Sequence, residues 1–148
     1  NLATIYRPLN NFFLNPFIEY LRKKYICKNQ IKKGRKGVKH AIEYINKNHS
    51  IALMIDQRVS EGERVNFFNE PALTTTLPAQ LALKFNLDIV PVFIERKNNY
   101  LYEINIHSPI KTFEFKNKLE ITLKLNQILE KMIAKNLGQW IWTHDRWK

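Results

Sequence analysis

The side chains of this sequence best placed for chemistry gather behind one short apolar run. Ile51 to Ile55 (IALMI) breaks at Asp56-Gln57-Arg58, and a polar stretch with Glu61, Gly62, Glu63 and Arg64 follows. Phe67-Phe68 and three consecutive hydroxyls, Thr74-Thr75-Thr76, complete the stretch before Pro78. A carboxylate just after a strand can cap the next turn. It can also face a ligand, because ligands of parallel sheets sit at the carboxyl ends of strands. The threonines have the same two readings, as a helix N-cap region or as a polar wall, and Phe67-Phe68 can be core or pocket lining.

Other kinds of chemistry have no support. The four histidines, His40, His49, His107 and His144, are scattered, with no His, Cys or Asp partner at ligand spacing, so no metal is expected. The Gly34 to Gly37 turn (GRKG) lacks the Lys-Ser/Thr of a phosphate loop. No Gly-x-Ser-x-Gly elbow is present, and no nucleophile can be named. No cofactor is expected.

The elements around these residues read as strand, long loop, helix, strand. Pro78 suits the first turn of a helix, and AQLALKF repeats apolar residues at helical spacing. Asp88 then leads into IVPVFI, Ile89 to Ile94. That order is the βαβ pattern of a parallel sheet. Upstream, Leu2 to Tyr6 is a short strand stopped by Pro8, and Asn15-Pro16 opens a helix through FIEYLRKKY. Phe17, Ile18, Leu21 and Tyr25 share one face of it, with Arg22, Lys23 and Lys24 largely off that face. Ile31 to Gly37 reads as a basic turn, and Val38, Ala41, Ile42 and Ile45 mark an amphipathic helix ending near Asn46. Downstream, Tyr100 to His107 is an expected strand and Leu119 to Lys135 the longest expected helix. The expected fold is α/β: a mostly parallel sheet with flanking helices, one domain over residues 1–148.

Composition narrows the partners. A 45% hydrophobic and 12% aromatic content excludes a disordered chain. The single cysteine, Cys27, excludes an internal disulfide framework. The net charge of +11 is concentrated in residues 1–50, which hold eleven Lys/Arg against only Glu19 and Glu43. Such a surface calls for an anionic partner: a membrane leaflet, a phosphorylated lipid, an acidic carrier protein or nucleic acid. Nucleic acid is set aside because no helix-turn-helix, RNP or zinc-finger signature occurs. The chain opens at Asn1, inside an expected strand and without an initiating Met, and is read as a fragment or trimmed product.

Taken in order, the pieces resemble a known family. IYRPLNN, NPFIEYLR, KKGRKGVKHAI, the Asp56-Gln57 strand end, VNFFNEPALTTTLPAQLAL, IVPVF and the closing W-x-W-x-H-x-R-W-K span nearly the whole chain. Together they resemble the lauroyl/myristoyl acyltransferases of lipid A biosynthesis, within the glycerol-3-phosphate and lysophospholipid acyltransferase superfamily. The resemblance implies part of a glycerol-3-phosphate-acyltransferase-like fold. It also implies transfer of a fatty acyl chain from an acyl carrier protein thioester to a hydroxyl of a lipid A precursor, at the cytoplasmic face of the bacterial inner membrane. By the same resemblance, Asp56 falls on the family's active-site carboxylate and Arg7 helps hold an anionic phosphate or carrier. Gln57, Phe67, Phe68, Thr74, Thr75 and Thr76 would shape the acceptor and acyl pocket. Pro91 falls in a further conserved block of the family, and Arg22 and Arg35 lie where it places basic residues. The family's base is a His with an acid five positions later, and none of the four histidines here has Asp or Glu at that spacing. The expectation is therefore a substrate-binding portion, inactive alone and complemented by a separate N-terminal half. The alternative is a non-catalytic remnant that binds anionic membrane or lipid.

Overall fold

The structure, a computed structural model, describes residues 1–148 and has mixed α/β character. The chain forms two compact units, Asn1–Met54 and Ile55–Lys148.

The first unit is built on a three-stranded parallel sheet. β1 (Leu2–Tyr6) lies between β2 (Asn29–Lys32) and β3 (Ser50–Ala52), with Ala3 opposite both Asn29 and Ile51. Parallel neighbours need crossovers, and the two helices supply them. α1 (Leu14–Tyr25) links β1 to β2, and α2 (Arg35–Asn46) links β2 to β3. α2 lays Gly37, Ala41 and Ile45, four residues apart, on the sheet. The basic Gly34 to Gly37 turn becomes intelligible here. Gly34 sits at the helix N-cap with φ of 129°, where side chains are strained. A Cβ on Gly37 would collide with the Lys32 backbone carbonyl, so the second glycine permits close contact between helix and strand. The segment expected as a turn from Ile31 also contributes Ile31 and Lys32 to β2.

The second unit has two antiparallel hairpins and two helices. β4 (Glu63–Phe67) pairs with β5 (Glu70–Thr74), and β6 (Val92–Arg96) pairs with β7 (Tyr102–Ile106). α3 (Leu77–Phe85) has Pro78 in its first turn and ends on Asn86 in the left-handed region. α4 (Lys118–Lys135) is capped by Asn117, whose Oδ1 accepts from the amides of Leu119 (2.9 Å) and Glu120 (3.1 Å). α4 packs on both α3 and β4. Ile121 and Leu125 meet Ala79 and Ile110 in one core cluster, and Leu129 and Ile133 meet Phe67 and Ala72 in another.

Three expectations are corrected. The apolar run from Ile51 is strand only to Ala52, because its partner β1 pairs with it only from Leu2 to Thr4; Asp56 therefore lies beyond the strand, in a bend. The polar stretch before Pro78 is largely the β4–β5 hairpin, not loop. The strand expected from Ile89 starts at Val92 and pairs antiparallel with β7, so the parallel βαβ unit is not formed, while Ile89 makes an isolated bridge to Ile110.

Candidate active site

The sequence-marked residues of the second unit converge around a buried arginine. The buried face of α4 carries Thr122 and Asn126 among Ile121, Leu125, Leu129 and Ile133, so two polar side chains stand in an apolar stripe. A buried amide needs partners. Asn126 Nδ2 donates to the Asn66 carbonyl (2.9 Å) and to Thr74 Oγ1 (3.3 Å), and its Oδ1 accepts from Arg146 Nη2 (3.0 Å). Arg146 also donates from Nη2 to Thr74 Oγ1 (3.2 Å) and from Nη1 to the backbone carbonyl of Asp56 (3.0 Å). One guanidinium thus ties together the bend after β3, the end of β5 and the middle of α4. Its fork of donors is what allows this; an ammonium has no such planar reach.

Arg146 is fully buried, with its guanidinium carbon 4.1 Å from the centre of the Phe67 ring. Burial pulls its pKa down to about 10, and the charges of Asp56 and Glu130 oppose that pull. It stays cationic at neutral pH. Phe67 is itself fully buried and also packs beside Trp147, whose ring centre is 5.6 Å away and whose Nε1 donates to the Phe67 carbonyl (3.0 Å).

Asp56 and Gln57 also line a cleft of about 460 Å³, completed by Gln139, Trp140, Ile141, Thr143 and His144. Oδ1 of Asp56 is buried and has no hydrogen-bond partner within the protein. A carboxylate oxygen in that state is costly unless something donates to it. The cleft itself is lined by residues that carry a carboxylate, amides, a hydroxyl, an imidazole and an indole. Such a set can orient a polar, hydroxyl-bearing ligand.

The other sequence-marked residues have varied placements. Thr74 belongs to the buried arginine cluster. Thr75 Oγ1 accepts from the Leu77 amide (3.3 Å) and Thr76 Oγ1 from Gln80 Nε2 (2.8 Å), so both hydroxyls serve the start of α3. Phe68 and Asn69 form the two-residue β4–β5 turn with φ of 51° and 65°. A left-handed phenylalanine is uncommon. It is held by its amide, which donates to Glu130 Oε1 (2.8 Å), and by the neighbouring Phe67 ring at 4.9 Å. Pro91 is half-buried just before β6, and its carbonyl accepts from the His107 amide (2.9 Å).

In the first unit, Arg7 is exposed past the end of β1, and Arg35 is exposed at the start of α2. Arg22 lies over the Tyr6 ring (4.8 Å) and donates to the Arg7 carbonyl (3.4 Å), so it steadies the backbone that carries Arg7. Beside it, Glu19 pairs with Lys32 (3.0 Å) and accepts from Asn15 Nδ2 (2.8 Å). Lys32 first, then the Tyr6 hydroxyl and Asn15, hold the Glu19 carboxyl down at about 2. Burial first, then the Glu19 carboxylate, pushes the Tyr6 phenol up to about 12.

With this geometry in view, the chain can be set beside known proteins. All of it, residues 1–148, matches the model of the family described as bacterial lipid A biosynthesis acyltransferase. The chain belongs to that family. It is also 25% identical, over 150 aligned residues, to a lipid A biosynthesis acyltransferase of Haemophilus influenzae. That alignment covers 97% of this chain and 47% of the relative, so the chain spans about half the length of the curated protein it matches. Arg146 and Asn126, which hold the Asp56 bend, the end of β5 and α4 together, were passed over in reading the sequence. Two signals pointed to them: an asparagine on the apolar stripe of the long helix, and an arginine set among three tryptophans.

Proposed function

We propose that this chain carries the acceptor-binding portion of a lipid A acyltransferase. The reaction passes a fatty acyl chain from an acyl carrier protein thioester to a hydroxyl of a lipid A precursor, at the cytoplasmic face of the inner membrane. The observation that supports this reading best is the placement of Asp56 and Gln57 in the lining of the cleft, in a chain matched over its whole length by the family. Asp56 accepts a hydrogen bond from the acceptor and orients it, while Gln57 and Trp140 line the sugar-facing wall. Arg7 and Arg35, both exposed, meet phosphate or the acidic carrier.

Acyl transfer to a hydroxyl needs a general base within hydrogen-bond reach of that hydroxyl. No histidine here has an acid five positions on. On this reading the His–acid pair comes from residues outside these 148, either in a longer form of the chain or in a separate N-terminal half. The three-stranded parallel sheet then forms part of a larger, mostly parallel acyltransferase sheet. The test is acyl transfer from an acylated carrier protein to a lipid A precursor, with and without an N-terminal half that supplies the pair. Turnover is expected only with that half, and Asp56→Ala is expected to lower it about a hundredfold, the range of a lost positioning or proton-handling group. Turnover by the 148 residues alone would refute the missing base, and unchanged turnover in Asp56→Ala would refute the role of Asp56.

A further inference from the structure

An antiparallel strand pair at a domain surface turns its apolar side chains to the core and its polar ones to water. The β6–β7 hairpin is inverted. Val92, Ile94, Tyr102, Ile104 and Ile106 are 54–73% exposed. The register sets Val92 opposite Ile106, Ile94 opposite Ile104 and Arg96 opposite Tyr102, so all of them share one face. Arg96, at one end, is the single charge on it. The other face is polar: Glu95, Glu103, Asn105 and His107 line a cleft of about 370 Å³ together with Met132 and Lys135 of α4. Lys97 pairs there with Glu95 (2.9 Å) and Glu103 (3.6 Å). Gln139, beyond α4, clasps the backbone of Arg96, accepting from its amide (2.9 Å) and donating to its carbonyl (2.7 Å). The hairpin is thus tied to the second unit in this orientation.

We propose that the outer face of β6–β7 seats an amphipathic helix from the part of the family chain that lies outside residues 1–148. The alignment reaches 47% of the curated relative, so more than half of that protein lies beyond it. A bare valine and isoleucine wall with no central charge has the composition of a core cut in half, which is that of permanent rather than transient contacts. Its dimensions suit a helix. Strands of five residues run about 17 Å and two of them make a face about 10 Å wide. A helix of about eleven residues has that length and that diameter. Helices close the faces of α/β sheets in this way. Two copies joined through these faces would bury on the order of 1,000 Å², at the lower limit of a stable interface. An anionic lipid surface would find one cation, Arg96, on the whole face. The proposal rests on the family match and the inverted hairpin, not on the chemistry assigned to Asp56, so either can fail without the other.

The test joins the part of the Haemophilus influenzae relative outside the alignment to residues 1–148, in the order of the family, and compares this fusion with the 148-residue chain. An environment-sensitive dye on Ile104→Cys reads the face directly, since Cys27 is buried and should escape labelling. In the fusion the dye's emission should shift to the blue and its quenching by iodide should fall about tenfold. Ile94→Thr with Ile104→Thr keeps the β-branching that strands favour. It should lower the folding equilibrium constant of the fusion about a hundredfold, because only there do both side chains leave water. The 148-residue chain, where both are exposed, should be unchanged. A dye equally open in both proteins, or a double variant that costs both the same, would overturn the inference. So would a dimer formed through this face, or vesicle binding through it, that persists in the fusion. A buried dye in a fusion without acyl transfer would support this inference and count against the acyl-transfer reading.

Discussion

Replacing Arg146 tests how the second unit is held together. Its three hydrogen bonds reach Asp56, Thr74 and Asn126 at 3.0, 3.2 and 3.0 Å, and its guanidinium lies on the Phe67 ring. In Arg146→Ala, each acceptor loses a donor and has little water to replace it, at about 1 kcal/mol net apiece. The unfilled space over Phe67 adds about 1–2 kcal/mol. The sum, on the order of 4 kcal/mol, is a large share of the 5–15 kcal/mol typical of a domain. Relief from burying a cation offsets part of it, since burial already lowers the pKa of Arg146. Arg146→Lys keeps the charge but cannot span three acceptors, and should cost about 2 kcal/mol. Urea unfolding followed by tryptophan fluorescence is the suitable assay, because Trp140 and Trp147 lie 6.1 and 5.6 Å from Phe67 and report on the same cluster. With a slope of about 1.5 kcal/mol per molar, the alanine variant should lose about 2–3 M in midpoint. A shift under about 0.5 kcal/mol would refute the clamp. A lysine variant equal to the parent would refute the fork geometry while leaving the charge important.

Two further outcomes follow from the first unit. Glu19 is held at about 2, so its contribution is present above its ordinary value of 4.5 and is lost as pH falls from 4.5 towards 2. Lys32 is 62% exposed, so solvent screening limits the contribution to about 1 kcal/mol. The stability gap between parent and Glu19→Gln should shrink over that window in acid unfolding; a gap that does not change would exclude the linkage. Gly37→Ala sets two effects against each other. Helix propensity favours alanine by about 1 kcal/mol, but the new methyl would strike the Lys32 carbonyl, a backbone group that cannot swing away. The collision should win by about 1–3 kcal/mol and lower the melting temperature by several degrees. A raised melting temperature would show that α2 stands off the sheet.

What the chain determined by itself was mostly local. The strand at Leu2–Tyr6 and the four helices follow from apolar periodicity and from prolines at helix starts, which act within a few residues. The family is legible for a related reason: ordered blocks such as IYRPLNN and VNFFNEP are a property of the chain rather than of its packing. The β4–β5 hairpin escaped notice because its strands are polar on one side and include Pro71. Its turn is Phe68-Asn69, not the Asn-Gly pair that announces such turns. The direction of β6 was equally hidden, since an apolar run specifies a strand but not its partner, and β7 takes it antiparallel.

Tertiary structure decided the rest. Asp56 was legible as a carboxylate after an apolar run, but only packing left one of its oxygens buried and unpartnered beside a cleft. Arg146 belongs to a residue type that usually stays in water, and only the meeting of α4, β5 and the Asp56 bend supplies the three acceptors that make its burial tolerable. The sequence placed Phe17, Ile18, Leu21 and Tyr25 on one face of α1, and that pattern cannot say which way the face points. Packing divided it: Ile18 and Leu21 are half-buried on the side from which Glu19 reaches Lys32 and Arg22 covers Tyr6, while Phe17 and Tyr25 stay exposed.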